Sequence, residues 1–164
     1  MKIYTIGFTK RSARDFFETL SRSGAKRLLD VRTNNRSQLA GFSKRDDLEY
    51  FLSRICVMEY FEEKSLAPRN ESLKAYRAQE VTWAEYADQY LRDLSIRGVQ
   101  HSLSRGHVSD SVLLCSEDKP HNCHRRLAAE YLMKSWGGCR SNPSLIRSYL
   151  CVRHSGEILG HELD

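Results

Sequence analysis

The sequence is poor in proline, with three in 164 residues, and it carries no low-complexity tract. Collagen-like, mucin-like and proline-rich linker chains are excluded on that ground. Apolar runs are only a handful of residues long, too short for a membrane-spanning helix. The opening Met1-Lys2-Ile3-Tyr4-Thr5-Ile6 lacks the basic start, long apolar segment and small-residue cleavage site of a secretory leader. An unsecreted, cytoplasmic protein with no membrane partner is therefore expected. Five cysteines stand at no short regular spacing, and no Cys-x-x-Cys pair occurs. That argues against structural disulfides and against the usual zinc knuckle, so reduced thiols, no bound metal and no cofactor are expected, with Cys115, Cys123 and His124 as three zinc ligands the alternative reading. Also missing are the Gly-x-x-x-x-Gly-Lys-Ser/Thr phosphate loop, the Gly-x-Gly-x-x-Gly fingerprint, and an arginine six residues beyond Cys123. The common nucleotide-hydrolase, dehydrogenase and cysteine-phosphatase assignments fail with them.

What remains is a globular composition. Hydrophobic residues make up 40% and charged residues 29%, enough for a real core, and the length fits one domain over residues 1–164. The formal charge of +5 is unevenly spread: residues 1–55 hold 12 Lys and Arg against 6 Asp and Glu, whereas the rest is near balance. Two readings stand for that excess, a face that attracts phosphate and an ordinary solvated surface.

Periodicity gives the elements. Ile3 to Gly7 reads as a short buried strand, and Ser12 with Asp15 opens a helix that turns Phe16, Phe17 and Leu20 inward and ends near Gly24. Arg27 to Arg32 reads as a second strand, so strand, helix and strand form a βαβ unit with parallel strands. A helix with Leu48, Phe51, Leu52 and Ile55 on one face follows, then a third strand from Val57 to Phe61. The middle, about 62–107, is helical, with the capping box Thr82-Trp83-Ala84-Glu85 at the head of an aromatic-rich helix whose rings repeat on one face as core. Ser111 to Cys115 is the clearest buried strand, a helix runs from about Cys123 to Ser135, and 150–159 suggests a closing hairpin. The expected fold is α/β: a single domain with a mainly parallel central sheet flanked by helices, Rossmann-like and three-layered.

In such sheets ligands bind at the carboxyl ends of the strands. Three strands end there in informative residues: Gly7, Asp30 with Arg32, and Cys115-Ser116-Glu117. Asn122 is a natural N-cap, which would set Cys123, His124 and Arg125 in the first turn of the last helix. Basic side chains at that end oppose the helix dipole, and an anion bound there would resolve the conflict. Cys123 beside His124 reads either as a nucleophile with a lowered thiol pKa or as an inert buried cysteine; Cys115 reads as the more inert of the two. Glu117 and Asp30 are the carboxylates placed for acid or base work, or else for ion pairs with Arg32 or Arg125.

Tyr4-Thr5-Ile6-Gly7, Leu29-Asp30-Val31-Arg32 with Ser37 and Phe42, and Cys115-Ser116-Glu117 with Cys123-His124-Arg125 closely resemble, in order and spacing, the motifs of the family called domain of unknown function 488. Where that family usually has a proline soon after Asp-Val-Arg, this chain has Asn34-Asn35, so a differently shaped loop is expected. The resemblance implies an α/β fold and a shared pocket, and no established reaction.

The site expected from the sequence therefore has Glu117, Cys123, His124 and Asp30 as catalytic groups, and Gly7, Arg32, Ser37, Cys115 and Arg125 as ligand or phosphate contacts. Its partner is a phosphate-bearing ligand, a nucleotide or nucleic acid. Three activities are carried: an enzyme on such a substrate, a non-catalytic module binding it, and a cysteine-based redox or thiol-transfer protein.

Overall fold

A computed structural model of the protein describes residues 1–36, 41–137 and 148–150. Ser37 and, past Leu150, the expected closing hairpin lie outside the described residues. In chain order the elements are β1 (Lys2–Gly7), α1 (Ala13–Ser23), β2 (Arg27–Asp30), α2 (Arg45–Phe51), β3 (Glu59–Glu62), α3 (Asn70–Arg77), α4 (Trp83–Ile96), α5 (Val99–Ser102), α6 (Arg105–Val108), β4 (Ser111–Cys115), α7 (His124–Ser135) and β5 (Ser148–Leu150). The sheet order is β3-β2-β4-β1-β5. The first four strands are mutually parallel, and β5 pairs antiparallel with β1 at one edge.

Alternation along the strands divides the core. Ile3, Leu29 and Leu113 point to one side and meet Tyr90 and Leu94 of α4 and Leu127, Ala128 and Leu132 of α7. Ile6, Leu28, Val112 and Leu114 point to the other, against Phe16, Phe17 and Leu20 of α1, and Leu48 of α2. Side chains one residue apart on a strand face opposite sides, so a sheet apolar on both faces must be covered on both. The structure is thus the expected Rossmann-like α/β arrangement. Among the described residues no helix is long and apolar enough to cross a membrane.

Local signals set the helix ends. Ser12 accepts from the Asp15 amide, and Gly24 closes α1 in the left-handed conformation at φ 65°. Thr82 and Glu85 form the reciprocal capping box of α4. One expected face is corrected: α2 widens into a π turn over Leu52–Cys56, closed by Val57 at φ 52°. Ile55, in this wider turn, is 52% exposed and stands at an apolar hollow beside Phe51 instead of packing in the core. Val57 ends that helix instead of starting a strand, and the third strand begins at Glu59.

Register then aligns the strand ends. Gly7 lies opposite Cys115 and Asp30 opposite Leu114, with β4 between β1 and β2. All three motif segments leave the sheet at one edge.

Candidate functional site

The chain beyond β2 is fixed by a buried ion pair. Arg32 Nε and Nη2 donate to the Asp30 carboxylate at 2.8 and 2.6 Å, and the Arg32 amide donates to it at 3.1 Å. Tyr60 donates from its hydroxyl to the same carboxylate at 2.7 Å. Burial, followed by the negative charge of Asp30, pushes the Tyr60 phenol well above its ordinary value. With four donors around it, Asp30 is a structural anchor facing Arg32 and Tyr60. Arg32 also lies over the Phe8 ring, 5.3 Å from its centroid.

The loop from β4 to α7 is held from two sides. Gly7 packs beneath it so closely that a Cβ there would overlap the Glu117 carbonyl, and Thr9 donates from its amide to the Ser116 carbonyl at 3.2 Å. From the helix side, Arg125, 1% exposed, donates through Nη1 to the Glu117 carbonyl and through Nη2 to the Asp118 carbonyl at 3.0 Å. Main-chain carbonyls thus stand where an anion was expected to answer the basic side chains at this helix start. The N-cap is Cys123, not Asn122, and it makes no side-chain cap hydrogen bond. His124 is buried and its Nε2 donates to the Val31 carbonyl at 3.0 Å. A carbonyl only accepts, so this contact assigns the proton to Nε2 and turns Nδ1 toward the cysteines.

Cys115 Sγ lies 3.8 Å from His124 Nδ1, and Arg125 Nη1 donates to Cys123 Sγ at 3.5 Å. The thiol expected to be depressed is the other one. Cys115 is held well below its ordinary range, first by a hydrogen bond from Cys123 and then by the charge of His124, against the effect of burial. Cys123 is pushed up by the same shared hydrogen bond and by burial. Burial alone would lower His124, but the charge on Cys115, its hydrogen bond and the Val31 carbonyl leave it raised. Sequence position at a helix start suggested Cys123; the adjacency of two sulfurs, invisible in the sequence, moves the charge to Cys115.

These groups sit on the wall of a cavity of about 380 Å³. Of the residues picked out from the sequence, Arg32, Cys115, Glu117, Cys123 and His124 line it, whereas Asp30, Gly7 and Arg125 stand behind it. The opposite wall comes from α3 and the start of α4: Lys74, Tyr76, Arg77, Trp83 and Tyr86. Tyr76 stacks on Tyr86 with ring centroids 4.9 Å apart. The α3 residues were missed because that helix buries no residue of its own and its basic residues match no motif. Trp83 and Tyr86, expected as core, do repeat on one face of α4, but that face also closes the cavity. The Tyr86 hydroxyl is buried there with no hydrogen-bond partner among the described residues. A larger, mostly apolar hollow of about 630 Å³ between α1 and α2, lined by Phe17, Phe42, Phe51 and Ile55, takes Phe42 from the motifs and, among the described residues, none of the candidate site residues.

Fold and site together define an α/β protein with a thiol and imidazole cluster at a strand-end cavity. The family model described as "Domain of unknown function DUF488" matches residues 12–132, and the chain belongs to that family. Searches of the curated proteins and of the solved structures find no match.

Proposed function

We propose that this cavity is the active site of a cytoplasmic enzyme acting on a nucleotide or nucleic acid. The observation that carries the reading is the pairing, around one strand-end cavity, of the cations Arg32, Lys74 and Arg77 with the rings of Tyr76, Trp83 and Tyr86. Cations suit phosphate oxygens and aromatic rings suit the face of a base. A volume of about 380 Å³ is in the range that takes one nucleoside unit with its phosphate. The unpartnered Tyr86 hydroxyl supports an occupant, because buried polar groups in folded proteins are nearly always hydrogen-bonded. Glu117, exposed at the rim, is the carboxylate available for proton transfer, since Asp30 is fully engaged by Arg32 and Tyr60. Arg125 and Gly7 act as positioning residues that hold the Glu117 loop over the site.

The engagement of Asp30 also favours the second reading, a non-catalytic binding module, because it leaves the cavity with a single carboxylate among the described residues. Turnover separates the two. Nucleosides, nucleotides and short DNA and RNA are screened by thermal shift, and each hit is incubated and analysed for product by mass spectrometry. An enzyme gives a product that the Glu117→Gln variant no longer forms although it still binds the hit. Binding without product in the parent protein establishes the module, and no hit among phosphate-bearing ligands removes both readings.

A further inference from the structure

We propose that Cys115, Cys123 and His124 bind one zinc-class divalent metal ion, with a fourth coordination position open to the cavity. The proposal goes beyond the reading of the cavity as a nucleotide site and does not depend on it. One ligand atom from each residue lies within 4.8 Å of the others, and all three residues are buried. In a tetrahedral zinc site, with bonds of about 2.3 Å to sulfur and about 2.0 Å to nitrogen, a sulfur and a nitrogen ligand are separated by roughly 3.5 Å and two sulfurs by roughly 3.8 Å. The separation of 3.8 Å between Cys115 Sγ and His124 Nδ1 is within a few tenths of an ångström of the sulfur–nitrogen edge, a difference that small side-chain rotations close.

The surroundings are those of a ligand set. His124 donates its Nε2 proton to the Val31 carbonyl, which fixes the tautomer and leaves the Nδ1 lone pair directed at the sulfurs. Arg125 donates to Cys123 Sγ, as an outer group does to a metal-bound thiolate. Each ligand stands on a rigid element: Cys115 ends β4, Cys123 caps α7 and His124 begins it. Two buried sulfurs and an imidazole in contact are costly as separate charges, and a divalent cation among them removes that cost. The absence of Cys-x-x-Cys argued against zinc, but that spacing describes ligands delivered by one knuckle. Here a strand end and a helix start deliver them across a loop of seven residues.

Among the described residues the cluster has three such ligands and no fourth His, Cys, Asp or Glu. Three protein ligands facing a cavity are the arrangement of metal sites that take water or substrate in the fourth position. The Tyr86 hydroxyl in the same wall would accept or donate a hydrogen bond to that fourth ligand.

The test is elemental analysis of the untagged full chain, followed by removal of metal with a chelator and titration with Co²⁺. About one zinc per chain, and visible bands of tetrahedral Co²⁺ together with ultraviolet thiolate-to-cobalt bands, are expected. Cys115→Ser and Cys123→Ser should each lose at least tenfold in Co²⁺ affinity, and Cys56→Ser should lose none. If either cavity variant does not fold, the parent protein decides alone: Co²⁺ must protect two thiols from alkylation, mapped to Cys115 and Cys123. A metal-free parent that gives no thiolate-to-cobalt band overturns the proposal. So does a Cys115–Cys123 disulfide in protein purified under reducing conditions, or full metal affinity in both cavity variants. Nucleotide binding is measured separately, so either claim can fail without the other.

Discussion

Asp30 and Arg32, two residues apart, close a charged pair in which the carboxylate is 0% and the guanidinium 4% exposed. The pair is the hinge between sheet and site: Asp30 ends β2, and Arg32 is the first cation of the cavity wall. Removing one partner of a buried pair leaves the other charged and unpaired, at a cost of about 3 to 5 kcal/mol. Asp30→Ala should therefore lower unfolding stability by roughly that amount in urea denaturation. Asp30→Leu combined with Arg32→Met should recover much of the loss while abolishing binding of phosphate-bearing ligands. An Asp30→Ala protein as stable as the parent would show that the carboxylate is free for chemistry after all.

Gly7 packs directly against the loop that carries Glu117. Its hypothetical Cβ meets the main chain of Glu117, which cannot rotate away as a side-chain tip can. Gly7→Ala should cost at least about 1 to 3 kcal/mol, the usual range for overpacking, and should weaken ligand binding because the Glu117 loop is displaced. Gly41→Ala, with nothing among the described residues within 4 Å of its Cβ, is the control and should stay within about 0.5 kcal/mol of the parent. Chemical denaturation of the two variants side by side decides it.

The start of α4 carries Trp83 and Tyr86 into the cavity, so its cap bears on the site. Thr82→Ala removes the hydroxyl that accepts from the Glu85 amide and should cost about 1 kcal/mol. Glu85 accepts from the Thr82 amide and hydroxyl at 2.8 and 2.7 Å, and these bonds hold its carboxyl below the ordinary value. A carboxyl lowered in the folded state stabilises at pH above its unfolded value, and that contribution is lost as pH falls through the folded value. The melting-temperature gap between the parent and Glu85→Gln should accordingly be largest near neutrality and close in acid. A gap independent of pH would mean that the ionised carboxylate contributes nothing to the cap.

Much of the architecture was legible because it rests on local signals. Ser12, Gly24 and Thr82 announce helix ends in a few letters, and the apolar run at Ser111–Cys115 admits only a strand buried on both faces. The strand-end rule brings Arg32, Cys115, Glu117, Cys123 and His124 to one end of the sheet, and the structure gathers them on one cavity. What the rule did not supply were side-chain directions. Arg125 and Asp30 carry the right chemistry but turn toward the protein's own carbonyls and cations, and only tertiary packing determines that. Lys74 and Arg77 were illegible for the opposite reason: they belong to an exposed helix with no motif, and line the cavity only because α3 docks beside the strand ends. The exchange of roles between Cys115 and Cys123 depends on one sulfur lying beside another, which spacing along the chain does not encode.

Calorimetric titration measures directly whether the cavity binds a phosphate-bearing nucleotide or nucleic acid. Nucleoside monophosphates and a short single-stranded oligonucleotide are titrated into the parent and into Lys74→Ala/Arg77→Ala, at low and at high salt. At least one ligand should bind the parent, its affinity should fall as salt rises, and the double variant should lose about 1.5 to 3 kcal/mol per cation contact while keeping its melting temperature. Undiminished affinity in the double variant, or no binding of any of these ligands to the parent, would contradict the reading of this cavity as a nucleotide site.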